Sequence, residues 1–292
     1  MLLALLQTLR PRQWIKNIFV AVPLVFGQRL TDPDSLLITA GAIGLFCLVS
    51  GCVYILNDLV DVEKDRAHPV KKNRPIPSGR LPPRVARAFA VVTVPACLAL
   101  AYFLEPLYAV ILGVYFLQNV AYSFKLKNIA YVDVLSLGLG FMLRVLAGAV
   151  ALQIPASPWL LACTTLLALF LGFGKRAHEL GTSGDAATVQ RAALAKYKPG
   201  VLKVILYTLA VANIGLYVAY TLSDHVVQLF GTDKLVFTSV FAVIALGRFL
   251  QLATGRHDAE SPTEEMLKDP IFMINFVVGA IVSTALLYGW IG

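Results

Sequence analysis

The chain alternates between long apolar runs and short, polar, base-rich joints. Runs that approach the length of a bilayer crossing fall at 17–30, 36–57, 86–103, 107–122, 130–152, 157–174, 201–221, 234–252 and 270–290. A spanning helix needs about 20 such residues, with a range of roughly 17–25. The 107–122 run is short and is expected to borrow flanking residues or to be broken. These runs are too long and continuous for barrel strands. In lipid only helices or closed barrels satisfy every backbone donor and acceptor internally. The pattern therefore predicts an all-α polytopic membrane protein with about nine transmembrane helices, forming a single domain over 1–292. Residues 1–9 are apolar but lack the basic n-region and small-residue cleavage site of a secretory signal. Followed by Arg10, Arg12 and Trp14, they are expected to form an interfacial helix leading into the first span.

Composition agrees with this reading. Of 292 residues, 58% are hydrophobic and 14% charged, against about 25% charged in soluble domains; so few charges could not cover a soluble surface. Their placement sets an orientation. One set of joints holds Arg10, Arg12, Lys16, the group at 64–87, Lys125, Lys127, Lys175, Arg176, Arg191, Lys196, Lys198, Lys203, Arg248, Arg256 and Lys268. The opposite set holds Arg29 and Lys234. Positive loops stay cytoplasmic, which puts the N-terminus inside the cell. The net charge of +8 then reads as topology plus attraction for membrane lipid or an anionic substrate. No helix-turn-helix, finger or aromatic-basic sheet signature is present, so no nucleic-acid partner is expected. Cys47, Cys52, Cys97 and Cys163 sit inside apolar runs without a CxxC pair, which argues against a metal knuckle or a disulfide framework. His68, His178, His225 and His257 lack the spacing of a zinc site.

The chemistry concentrates at the basic ends of the spans. After the second run comes Asn57-Asp58-Leu59-Val60-Asp61-Val62-Glu63-Lys64-Asp65. Asn57, Asp61 and Asp65 follow i, i+4, i+8 spacing and are expected on one helix face, with Asp58 beside them. Like charges so spaced repel. A magnesium ion would offset that, since it takes hard oxygen ligands and bridges carboxylates to substrate phosphates. A solvated acidic helix end, softened by Lys64 and Arg66, is the plainer alternative. The stretch from Arg66 to Arg80 carries His68, Lys71, Lys72 and Arg74 among Pro69, Pro75, Pro77 and Gly79, which preclude a regular helix. Beside the carboxylates it reads as a phosphate cradle.

A second polar group, Asn119, Tyr122, Ser123, Lys125 and Lys127, ends the fourth run, and Asp133 opens the fifth. Arg144 lies eleven residues past Asp133, near mid-helix, where an arginine costs about 2.5–3.5 kcal/mol to insert. It is expected to face a polar cavity and to meet a bound phosphate or a carboxylate from another span. A same-helix pair with Asp133, about 16 Å away at 1.5 Å per residue, is not expected. The third group is Lys175-Arg176-Ala177-His178-Glu179, where the bases are expected to meet a substrate phosphate and Glu179 to orient one of them. A simple Lys175–Glu179 pair on a solvated helix is the alternative. Segment 254–269, with Glu260, Glu264, Glu265 and Asp269, is expected to cap the same face.

Asn57-Asp58-x-x-Asp61-x-x-x-Asp65 resembles the first aspartate-rich motif of the UbiA-type prenyltransferase superfamily. In order with it stand Leu9-Arg10-Pro11-Arg12-Gln13-Trp14-Ile15-Lys16-Asn17, Lys72-Asn73-Arg74-Pro75-Ile76-Pro77-Ser78-Gly79 and Tyr122-Ser123-x-x-Leu126-Lys127. The resemblance implies helices around a central cavity open laterally to lipid, with magnesium-dependent transfer involving a polyprenyl chain. Where most of the superfamily carries a second aspartate-rich motif, this chain has Lys175-Arg176-x-x-Glu179. That departure, with the Trp14 segment and Leu143-Arg144, looks like the decaprenyl-phosphate phosphoribosyltransferase branch of prokaryotic inner membranes. Such a resemblance implies 5-phosphoribosyl 1-diphosphate as donor and a polyprenyl phosphate (decaprenyl phosphate or similar) as acceptor. The product would be a sugar lipid leading to arabinose for cell-wall arabinan. Asp58, Asp61 and Asp65 would then bind Mg2+ on the diphosphate, with Asn57 as a further ligand or orienting group. Arg12, Lys16, Lys71, Lys72, Arg74, Arg80, Tyr122, Lys125, Lys127, Arg144, Lys175, Arg176 and Glu179 would contact phosphate or substrate. Prenyl transfer to an aromatic acceptor, and a non-enzymatic lipid-binding or transport role, are the alternatives.

Overall fold

The computed structural model describes residues 1–190, 193–255 and 262–291, and their side chains except those of 182–190, 225, 263 and 264. Arg191, Arg256, His257 and Glu260 lie outside the described residues, as do the side chains of His225 and Glu264. The described residues form helices and no strand. In order these are α1 (Leu2–Thr8), a 3-10 segment (Pro11–Ala21), α2 (Val22–Phe26), α3 (Pro33–Val60), α4 (Val62–Ala67), α5 (Pro83–Leu104), α6 (Pro106–Phe124) and α7 (Val132–Ala151). There follow α8 (Pro158–Gln190), α9 (Pro199–Leu222), α10 (Asp224–Phe230), α11 (Ser239–Thr254), α12 (Pro262–Lys268) and α13 (Pro270–Leu287). Proline opens α3, α5, α6, α8, α9, α12 and α13. Its fixed φ suits the first helical position, where a missing N–H is not needed.

Eight stretches among the described residues are long and apolar enough to cross a membrane, close to the nine expected. The short fourth run takes in residues at both ends and becomes α6. The first run, 17–30, is the exception in form. It leaves the 3-10 segment at Ala21, makes the five-residue α2, and turns at Gln28, whose φ is 54°. Pro23 lies inside it and cannot donate the hydrogen bond a continuous α-helix would need there. Large apolar side chains such as Val91, Val92 and Phe103 on α5 and Ile274 and Ile281 on α13 face outward. Continuous apolar surface of this kind suits lipid rather than water. The chain is a multi-pass membrane protein.

Two compact units emerge. The first comprises 1–127 and 140–156, the second 128–139 and 157–292. In the first, α3 packs on α5 and α6 around Phe46, Val49, Val53, Cys97, Tyr108 and Leu112. The buried Tyr108 hydroxyl donates to the Ala42 carbonyl at 2.7 Å, tying α6 to α3. In the second, α8 packs on α9 and α11 around Phe170, Leu202, Leu206 and Phe249. Gly174 of α8 lies against the Phe249 ring, where a Cβ would not fit. Small residues allow this approach, and in lipid van der Waals packing is what drives helices together.

Candidate functional site

In the first unit the aspartate motif does not continue as one helix. Helix α3 ends at Val60, Asp61 sits in a break with φ −97° and ψ 10°, and α4 starts at Val62. The Asp61 N–H still bonds the Asn57 carbonyl at 3.0 Å and the Asp65 N–H the Asp61 carbonyl at 2.8 Å, so the helical turn carries through this kink. Asp58 and Asp65 are buried, 1% and 4% exposed. Arg74 lies between them, its guanidinium donating to Asp65 Oδ2 at 2.6 Å and to Asp58 Oδ1 at 3.3 Å. Arg10 also donates to Asp58 Oδ1 and lies over the Tyr54 ring, 5.0 Å from its centroid. Asp61 accepts from Lys127 Nζ at 2.5 Å. Three carboxylates thus meet three bases, drawn from the chain entry, the proline-rich loop and the 3-10 turn Leu126–Asn128 that follows α6. Asn57 is half-buried beside them.

The loop is irregular, as its prolines dictate: α4 ends at Ala67, and one short 3-10 turn, Lys71–Asn73, interrupts it. Pro75, Ile76 and Pro77 are buried, and Ile76 packs in one cluster with Leu81 and Ile55, which fixes the loop beside Arg74. Arg80 donates to the Asn73 carbonyl at 2.6 Å and to Gln7 at 3.0 Å, closing the loop onto α1. Arg12, Lys16, Lys72 and Lys125 are exposed, while Lys71 and Tyr122 are half-buried. Arg10 stands in the opening motif, yet local sequence carries no signal that it reaches Asp58, 48 positions away.

Arg144 is buried in the same unit, 6% exposed, but no carboxylate pairs with it among the described residues. Its Nε donates to Asn17 Oδ1 at 2.9 Å, and its two terminal nitrogens to the Gly140 carbonyl at 2.9 Å and the Tyr115 hydroxyl at 2.8 Å. Rings of Tyr115, Phe141 and Phe46 lie 4.8, 5.3 and 5.6 Å from the guanidinium carbon. The expected carboxylate from another span is replaced by neutral acceptors and aromatic faces.

In the second unit Arg176 is 2% and Asp133 0% exposed. Arg176 Nε lies 3.3 Å from Asp133 Oδ2, and the terminal nitrogen of Arg176 pairs with Glu179. Tyr197, which sequence patterning did not single out, donates to Asp133 Oδ1 at 2.6 Å and accepts the Tyr131 N–H at 2.8 Å. Burial and the bond to Asp133 push the Tyr197 phenol well above its usual value. Tyr131 adopts φ 67°, and this backbone turn presents its N–H to Tyr197. Lys175 is half-buried and His178 buried on the same stretch.

Whether a divalent metal fits is answered by the donor set. Among the described residues no three acidic or histidine side chains gather as a ready metal cluster. However, Asp58 and Asp65 lie close enough for one cationic nitrogen to bridge them. The donors are carboxylate oxygens, the hard ligands magnesium prefers. The Arg74 nitrogen stands in for that cation, so the residues present fit the ion once the guanidinium moves aside.

The UbiA prenyltransferase family model matches residues 18–276. A Mycolicibacterium smegmatis protein named decaprenyl-phosphate phosphoribosyltransferase is 33% identical over 283 residues, covering 94% of this chain and 89% of the relative. A Corynebacterium glutamicum protein of the same name is 31% identical over 278 residues, covering 92% and 82%. A solved UbiA homolog from Archaeoglobus fulgidus, bound to DMAPP and Mg2+, shares the fold with a TM-score of 0.70 at 15% identity, covering 98% of this chain and 99% of that one. Matched by the family model through both compact units, and by relatives of this identity over nearly its whole length, the chain belongs to the UbiA prenyltransferase family.

Proposed function

We propose that this protein transfers 5-phosphoribose from 5-phosphoribosyl 1-diphosphate to a polyprenyl phosphate, releasing diphosphate, at the cytoplasmic face of a prokaryotic inner membrane. The observation that carries the reading is the cluster in which Asp58, Asp61 and Asp65 are matched by Arg10, Arg74 and Lys127. A site with carboxylates and bases in equal number can exchange partners without a net change in neutralisation. With substrate present, the carboxylates would face a metal ion and the bases the phosphate oxygens. Asp58, Asp61 and Asp65, with Asn57, are the residues that would hold Mg2+. When bound, the ion would offset charge on the departing diphosphate. Lys71, Lys72, Arg74 and Lys127 bind phosphate oxygens, and charge-assisted contacts of this kind are strong and directional. The names of the relatives favour a donor with an extra phosphate over a plain prenyl diphosphate.

In the reaction, the bond from ribose C1 to the diphosphate oxygen breaks and its electron pair leaves with diphosphate. A lone pair on the lipid phosphate oxygen forms the new bond to C1. The attacking oxygen is already anionic, so no side chain has to remove a proton. The protein's work is positioning and stabilisation of the leaving charge. The test is turnover of purified protein in detergent with labelled phosphoribosyl diphosphate and decaprenyl phosphate, with magnesium or with EDTA. Labelled prenyl diphosphate with an aromatic acceptor runs in parallel. Magnesium-dependent label in the lipid fraction from the first pair is the expected outcome. Product from the second pair alone would replace this reading by prenyl transfer, and no product from either by a binding or transport role.

A further inference from the structure

The 3-10 segment Pro11–Ala21 is eleven residues long, whereas 3-10 runs beyond three or four residues are uncommon because their hydrogen bonds are poorly aligned. Such a segment does not hold its own shape; its surroundings must. Only Asn17 and Val20 of it are buried, at 1% and 0% exposed, and both meet α7. Asn17 Oδ1 accepts from Arg144 Nε at 2.9 Å. The Val20 carbonyl oxygen lies so close to Gly148 that any Cβ there would overlap it. The spacing matches on both sides. Asn17 and Val20 are three residues apart, one 3-10 turn of about 6 Å at 2.0 Å per residue. Arg144 and Gly148 are four apart, about 6 Å at 1.5 Å per residue. Between them the Phe19 and Phe141 rings meet edge to face, with centroids 4.9 Å apart. The Asn17 amide also donates to Ser50 Oγ at 3.1 Å and Cys47 Sγ at 3.2 Å on α3.

Arginine at 144 is otherwise hard to explain, since no carboxylate among the described residues pairs with it and its insertion is costly. Its planar fork does what a lysine could not: it serves three neutral acceptors on the 3-10 segment, α6 and α7 at once. We infer that Asn17, Arg144 and Gly148 form a positioning seam that fixes the Pro11–Ala21 segment and thereby sets Arg10, at its N-cap, on Asp58. Arg10 has φ 52°, a strained backbone for a non-glycine residue that persists only when its surroundings impose it. The seam acts through Arg10 and touches no reacting atom. This inference rests on the reading above that the Asp58 cluster receives diphosphate.

The experiment combines two measurements on full-length protein in detergent. The first is hydrogen–deuterium exchange of amides 12–21 in Asn17→Ala, which removes one of the three acceptors of Arg144, and in Gly148→Ala, which removes none. Faster exchange in both is expected, and unchanged protection overturns the seam. The second is a double-mutant cycle on the affinity for inorganic diphosphate in magnesium buffer. Asn17→Ala alone is expected to weaken binding about 10-fold. In an Arg10→Ala background it should change binding by less than about twofold, because contacts that act as a unit are not additive. Independent, multiplying losses would mean that the seam does not work through Arg10 and would overturn the inference. If the unaltered protein binds no diphosphate, the functional reading of the cluster fails, while the exchange result still judges the seam itself.

Discussion

Arg74 offers the sharpest test of how the aspartate cluster works. It bridges Asp58 and Asp65 at 3.3 and 2.6 Å, with its own side chain 33% exposed and theirs 2% and 6%. In Arg74→Ala, Asp58 keeps Arg10, but Asp65 loses its ion-pair partner among the described residues. Breaking a buried pair costs about 3–5 kcal/mol, and an exposed pair is worth about 0–1 kcal/mol. With one partner a third exposed, the loss expected lies between, at about 2–3 kcal/mol. The same change empties the position a divalent ion would take. Magnesium at a hundred times its dissociation constant stabilises by about 2.7 kcal/mol. In the unaltered protein it must first displace the guanidinium and so protects less. Reversible unfolding in mixed micelles, with EDTA and with saturating magnesium, measures both effects. Arg74→Ala should be less stable in EDTA and should gain more from magnesium than the unaltered protein. Equal stability in EDTA to within about 0.5 kcal/mol, the usual spread for neutral surface changes, would refute the buried bridge. An equal magnesium gain in both would refute the metal position.

Asp61→Asn should abolish most turnover, and because Asp61 is 27% and Lys127 14% exposed, it should also cost about 1–3 kcal/mol in EDTA; near-normal turnover removes it from the site. Lys175→Ala is expected to lower kcat/KM for the phosphoribosyl donor about 10- to 150-fold, the equivalent of one charge-assisted contact of about 1.5–3 kcal/mol; unchanged kinetics would make Lys175 a plain surface base. Tyr197→Phe should cost about 1.5–3 kcal/mol, the worth of a hydrogen bond to a charged group, read by the same unfolding assay. The raised Tyr197 value adds a pH signature. Its proton is held more tightly when folded, so its contribution is complete below the ordinary phenol value of about 10 and fades as pH rises above it. Tyr197→Phe should therefore flatten the alkaline limb of the stability curve, and an unchanged limb would discard that assignment.

The spans were legible in the sequence because a membrane helix is a local object. Its backbone bonds close within the segment, so apolar run length decides it, and eight of the nine runs became crossing-length helices. The irregular loop after Asp65 was legible for the same reason, since proline and glycine act on their own backbone. The residue types of the aspartate cluster were also readable, but not their partners. Arg10 meets Asp58 across 48 positions, Lys127 meets Asp61 across 66, and Arg144 meets Asn17 across 127. Those pairings depend on which helix faces which, and hydrophobic periodicity is silent on that. The aspartate motif illustrates the difference: α-helical spacing groups its carboxylates, while the bases that meet them arrive from three separate segments. At Arg144, the cost of a buried charge was readable from its place in an apolar run. Only the tertiary structure could meet it with an asparagine, a tyrosine, a carbonyl and three rings, because neutral acceptors leave no charge pattern in the chain.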